Sequence, residues 1–135
     1  MIERFLDGLH EKMKDPVDCT GMSIIIPGDI DPFERHYRFS VHLDAELRLA
    51  GMGCSEGGGT LFCDSEDDDR GAEICYCILD VDATDIDGAR ALIREHMPEL
   101  GIPAGTLLQW GDLEDRFDGE CWQLGLPRSL DEFDL

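Results

Sequence analysis

Basic side chains are scarce in this chain: 11 Lys and Arg stand against 31 Asp and Glu, a formal charge of −20 over 135 residues. A surface of that sign repels nucleic acid and anionic membrane alike, so neither is expected as a partner. Long apolar runs are missing too. Nothing approaches the eighteen or more consecutive apolar residues of a membrane-spanning helix, and Glu3, Asp7 and Glu11 interrupt the opening apolar residues as no export signal would. A cytoplasmic protein is therefore expected, with its six cysteines as reduced thiols.

Several motifs of known chemistry are absent. No Cys-x-x-Cys knuckle is present to aim two thiolates at a zinc ion. "GMGCSEGGG" lacks the Gly-Lys-Ser/Thr ending of a phosphate loop and leads into a strand pattern, which predicts a turn. An EF-hand loop needs glycine sixth and glutamate twelfth. Counting from Asp80 gives Asp85 and Ala91, and from Asp64 gives Asp69 and Cys75, so neither acidic stretch fits calcium.

What is present is the pattern of one ordinary domain over 1–135, with 42% hydrophobic residues for a core. Ile2, Phe5, Leu6, Leu9 and Met13 recur at helical spacing and predict an N-terminal amphipathic helix ended by Pro16. Met22 to Ile26 reads as a short strand closed by a Pro-Gly turn. In "YRFSVHLDAELRLAG" Tyr37, Phe39, Val41, Leu43, Ala45, Leu47 and Leu49 alternate with polar residues, which predicts a long strand with one wet face.

"TLFC" and "AEICYCILDVD" read as two further strands flanking an acidic tip, the second apolar on both faces and so central in the sheet. Thr84 is the expected cap of a helix near 85–97, whose apolar face holds Ile86, Ala89, Leu92, Ile93, Met97 and Leu100. Leu108 to Trp110 against Cys121 to Leu124 predicts a hairpin across "GDLEDRFDGE". The sum is an α+β fold, a mostly antiparallel sheet of about five to six strands with two helices packed on it.

Three kinds of site can be drawn from these residues. Cys54, Cys63, Cys75 and Cys77 could supply zinc thiolates, although Cys-x-Cys on a strand is also ordinary core packing. Ser40, His42 and Asp44 invite a catalytic reading, but on a strand such neighbours stand about 6.5–7 Å apart, beyond the roughly 3 Å that proton transfer requires. The third is the charge itself, which exceeds the net charge of roughly 2 to 8 that solubility of a small domain needs.

Acids cluster at 64–69 (Asp64, Glu66, Asp67, Asp68, Asp69), at 112–120 (Asp112, Glu114, Asp115, Asp118, Glu120) and at 131–134. Trp110 and Trp122 bracket the second cluster. Acids that speed encounter around aromatics that hold a complex form a common interface design, so these twelve residues are the expected partner-binding set. No cofactor, bound metal or catalytic residue is expected.

With "ARALIREHMPELGIPAGTLLQW" (Ala89 to Trp110) passing from helix to strand inside one acidic α+β domain, the chain resembles the small acidic immunity proteins of bacterial toxin systems. That resemblance implies a non-enzymatic inhibitor that binds a basic cognate toxin and occludes it. No functional residue carries across.

Overall fold

In the computed structural model, which describes residues 19–63 and 73–129, six antiparallel strands form one sheet in the order β2-β3-β1-β4-β5-β6. In chain order they are β1 (Thr20–Pro27), β2 (Gly53–Cys63), β3 (Glu73–Ala83), β4 (Leu107–Trp110), β5 (Leu113–Phe117) and β6 (Trp122–Pro127). Between β1 and β2 runs a helical stretch made of α1 (Pro32–Glu34), a π-helical segment (Arg35–Ser40) and α2 (Val41–Ala50); α3 (Ile86–Glu99) joins β3 to β4. The fold is α+β.

The core lies between one face of the sheet and the helices. Met22, Ile24 and Ile26 of β1 and Cys77, Leu79 and Val81 of β3 alternate onto that face, where Leu43 and Leu47 of α2 and Ala89, Ile93 and Met97 of α3 meet them. On the opposite face Ile25, Ile78 and Leu107 form a smaller buried cluster with Leu61 and Tyr76. The central strands β1 and β3 are thus apolar on both sides, as expected for β3.

The residues read as a long strand are helical. Phe39, Leu43 and Leu47, spaced by four, are fully buried, while Tyr37, Val41 and Leu49 of the same supposed strand face are exposed. Alternation over this stretch satisfies both periods, and the end signals decide between them. Asp31 accepts from the Glu34 N–H at 2.8 Å, Pro32 opens the first turn, and Gly51 closes α2 at φ +71° with its N–H on the carbonyls of Leu47 and Arg48.

Three smaller expectations change. "GMGCSEGGG" belongs largely to β2, whose register shifts at a bulge between Ser55 and Gly58. The residues read as a loop at 112–120 contain β5, which separates β4 from β6, so no direct pairing joins those two. Asp85, not Thr84, caps α3 by accepting from the Gly88 N–H at 3.2 Å, and the Thr84 hydroxyl donates to the Gly51 carbonyl instead. The helix expected from Ile2 to Met13 lies outside the described residues.

Candidate partner-binding surface

The register of β4 on β5 divides the 112–120 acids between the faces of the sheet. Leu108 opposes Asp115 on the helix-bearing face, and Gln109 opposes Glu114 on the other. Both carboxylates are completely buried, so neither stands on an exposed rim as expected.

Asp115 is the hub of an ion-pair network. Arg90 of α3 meets it with two guanidinium nitrogens at 2.8 and 3.0 Å, Arg94 adds a contact at 3.3 Å, and the Gly125 N–H donates at 2.9 Å. A buried carboxylate persists when it is paired and hydrogen-bonded in this way.

The tryptophans belong to the same assembly. Arg90 lies 3.8 Å from the centre of the Trp110 ring, and the Trp122 indole donates to the Arg94 carbonyl at 3.1 Å while its ring packs on Phe117 at 5.1 Å. Both side chains are half-buried. They fasten α3 to the β4–β6 end of the sheet, and each keeps part of its surface open to solvent.

On the other face the Glu114 carboxylate accepts from the Ser129 N–H (2.7 Å) and hydroxyl, from Arg116 (2.9 Å) and from Gln109 (3.3 Å). Burial pushes its pKa up, but these donors together outweigh burial and hold it below the usual glutamate range.

Asp112, Asp118 and Glu120 are the exposed members of the set. Asp118 accepts from the N–H groups of Glu120 and Cys121 at 2.9 and 2.7 Å, and those bonds depress its pKa. Asp64, Glu66, Asp67, Asp68 and Asp69 lie outside the described residues, as do residues 131–134.

Internal pairing leaves the exterior acidic. Arg38 pairs with Glu34, Arg48 with Asp44, Arg90 and Arg94 with Asp115, and Arg116 with Glu114, while Arg128 donates to the Gly111 carbonyl. Asp29, Asp80, Asp82, Asp112 and Glu120 are exposed and make no ion pair among the described residues.

A feature missed in the sequence is an apolar stripe along the outer side of the helical stretch. Phe33 is 73% exposed, Tyr37 59%, Val41 44% and Leu49 84%, and Phe33 and Tyr37 touch ring to ring at 4.6 Å. The π-helical segment Arg35–Ser40 lies between Phe33 and Val41 and carries Tyr37. The spacing was legible once the stretch is recognised as helical.

A cleft of about 560 Å³ opens between the helix and the β2 bulge, lined by His36, Ser40, Asp44, Arg48 and Ser55 among others, and Val41 of the stripe also lines it. Ser40 and Asp44 do line one hollow, with His36 in place of His42, which is exposed and does not line it. The Asp44 carboxylate is already engaged by Arg48 at 2.9 Å and by the Ser55 N–H at 2.9 Å. Its role is to tie α2 to β2.

Cys54 and Cys77 do not converge. Cys54 opposes Asp82 and Cys77 opposes Thr60, five residues apart along β3 and so about 16 Å along the strand. Cys75 is disulfide-bonded, which removes it as a thiolate ligand and corrects the expectation that every cysteine is reduced. Cys19, Cys77 and Cys121 are free thiols, and burial pushes the Cys77 thiol up to about 11. Among the described residues no group of three or more His, Cys, Asp or Glu is placed to hold a metal ion, and no helix is long and apolar enough to cross a membrane. Comparison of the chain with protein-family models, curated proteins and solved structures finds no match.

Proposed function

We propose that this protein is a non-enzymatic acidic binding protein of the immunity type, which neutralises a basic bacterial toxin by binding and occluding it. The observation that carries the reading is the sorting of charge. The described arginines are engaged largely within the fold, while Asp29, Asp80, Asp82, Asp112 and Glu120 face solvent with no ion pair among the described residues. An exterior of one sign attracts a basic protein from a distance and orients it before contact.

The exposed acids Asp112, Asp118 and Glu120 remain as contact residues in this reading, together with Asp64, Glu66, Asp67, Asp68 and Asp69. Glu114 and Asp115 support the β5 backbone beneath them. We place the protein in the cytoplasm, which the free thiols of Cys19, Cys77 and Cys121 favour; the Cys75 disulfide favours a more oxidising compartment.

The test is recovery of the tagged chain from its own cells, followed by an activity assay on whatever basic protein accompanies it. The reading expects that protein to be toxic when expressed alone and harmless when the chain is co-expressed. A partner that is acidic, or one whose toxicity the chain leaves unchanged, overturns it.

A further inference from the structure

We infer that the cleft between the helical stretch and the β2 bulge binds a small molecule that carries a carboxylate or phosphate group, held by Arg35 and Ser40. Ser40 is 9% exposed and lines the cleft, yet its hydroxyl has no hydrogen-bond partner among the described residues. Only an occupant of the cleft can bond it. Arg35 is half-buried and makes no ion pair among the described residues, whereas Arg38, Arg48, Arg90, Arg94 and Arg116 each have a carboxylate.

The local fold sets these two groups side by side. The i→i+5 hydrogen bonding of the π-helical segment, in which the Val41 N–H donates to the His36 carbonyl, puts Arg35 one turn from Ser40. Arg35 turns toward the sheet, with its Nε 3.4 Å from the point that a Cβ on Gly58 would occupy. The chain neighbours of these two residues, His36 and Gly57, both line the cleft. At Gly57 a Cβ would meet nothing within 4 Å, so the bare bulge leaves room for an oxyanion beside the guanidinium.

Charge and size select the ligand class. Asp44, which lines the cleft, is engaged by Arg48 and the Ser55 N–H, and Glu34, which precedes Arg35, is engaged by Arg38 at 3.0 Å. Arg35 is therefore the unbalanced charge at this end of the cleft among the described residues, and a guanidinium takes carboxylates and phosphates through paired hydrogen bonds. The volume of about 560 Å³ falls within the roughly 300–1,000 Å³ of small-molecule pockets. Val41 and Ala45 line it as apolar surface for the rest of the ligand. The site lies near the β2 edge of the sheet, away from Asp112, Asp118 and Glu120 at the β5–β6 edge.

Amide spectra of the full chain, titrated with inorganic phosphate and separately with acetate at fixed ionic strength, test the inference. Saturating shifts are expected at residues 35–41 and 55–58. Saturation with phosphate alone identifies a phosphate ligand, and with acetate alone a carboxylate. Arg35→Met and Ser40→Ala should each weaken the response by about tenfold, the loss of one hydrogen bond to a charged group. Because Arg35 is half-buried, His36→Glu serves as a second variant. At an exposed helical position it sets a carboxylate beside Arg35 and should abolish the response while the melting curve stays in place. Shifts that saturate with neither anion, or that persist in Arg35→Met or His36→Glu, overturn the inference.

Discussion

Replacing Asp115 by alanine removes the carboxylate that two arginines of α3 share, leaving Arg94 without its counter-ion and Arg90 with only the exposed Asp87 at 3.9 Å. Asp115 has no solvent exposure, whereas the Arg90 and Arg94 side chains keep 17% and 24%. Removing one member of a buried pair costs about 3–5 kcal/mol. Partial water access to both guanidinium groups places this site at the lower end of that range, and the loss of the Gly125 N–H bond adds about 1 kcal/mol. The expected destabilisation is about 4 kcal/mol, a large part of the roughly 5–15 kcal/mol that holds a domain together.

Urea unfolding followed by tryptophan fluorescence measures it, since Arg90 lies on the Trp110 ring. The midpoint should fall with the slope unchanged. Asp115→Asn, which still accepts hydrogen bonds, should lose about half as much. Adding Arg90→Met to Asp115→Ala should cost less than the two single effects summed, because the contact is shared. A loss under about 1 kcal/mol for Asp115→Ala would mean that the pair behaves like a surface salt bridge, and the tie between α3 and β5 would have to lie elsewhere.

Other outcomes follow from the same contacts. Leu43→Ala, at a fully buried position of α2, should cost about 2–5 kcal/mol by the same assay; a change within error would show that α2 does not seal the core. Glu114 has a folded-state pKa below the ordinary value of 4.5, so its stabilisation is complete above that value and is lost as pH falls through the depressed one. Wild type should therefore lose stability more steeply than Glu114→Gln as pH drops below about 4.5, and parallel curves would refute the assignment. Cys77, buried and with its pKa pushed up to about 11, should resist iodoacetamide at pH 8 in the native protein, where exposed Cys19 and Cys121 react; equal labelling of all three would contradict the burial.

How much of this could be read in advance depended on whether local signals competed. β1 and β3 were legible because a run apolar on both faces, bounded by Pro-Gly or by a helix cap, has few alternatives. α3 was legible from one apolar face repeating over fourteen residues. The stretch 37–49 was misread because every second residue is apolar while every fourth, Phe39, Leu43 and Leu47, is apolar as well. Only the burial pattern and the Asp31-Pro32 and Gly51 end signals separate the two periods.

β5 escaped notice for another reason. "LEDRF" is mostly charged, and composition argues for a loop. Its acids are instead neutralised by Arg90, Arg94 and Arg116 and capped by backbone donors; apart from Arg116, two residues along the same strand, these partners come from 21 to 25 residues earlier or from the far side of a turn. Burial with these partners takes Glu114 and Asp115 off the expected contact surface and into the framework. Net charge was legible, but which charges face water was not, because pairing is a property of the folded sheet.

The central claim is that an acidic exterior recruits a basic protein, and the association rate as a function of ionic strength tests it most directly. With the basic partner recovered from cells, stopped-flow association should slow steeply as salt rises through the range where the screening length falls from about 10 Å toward 3 Å. Neutralising Asp112, Asp118 and Glu120 together should flatten that dependence while leaving dissociation nearly unchanged. A rate that ignores both salt and these three substitutions would contradict the account.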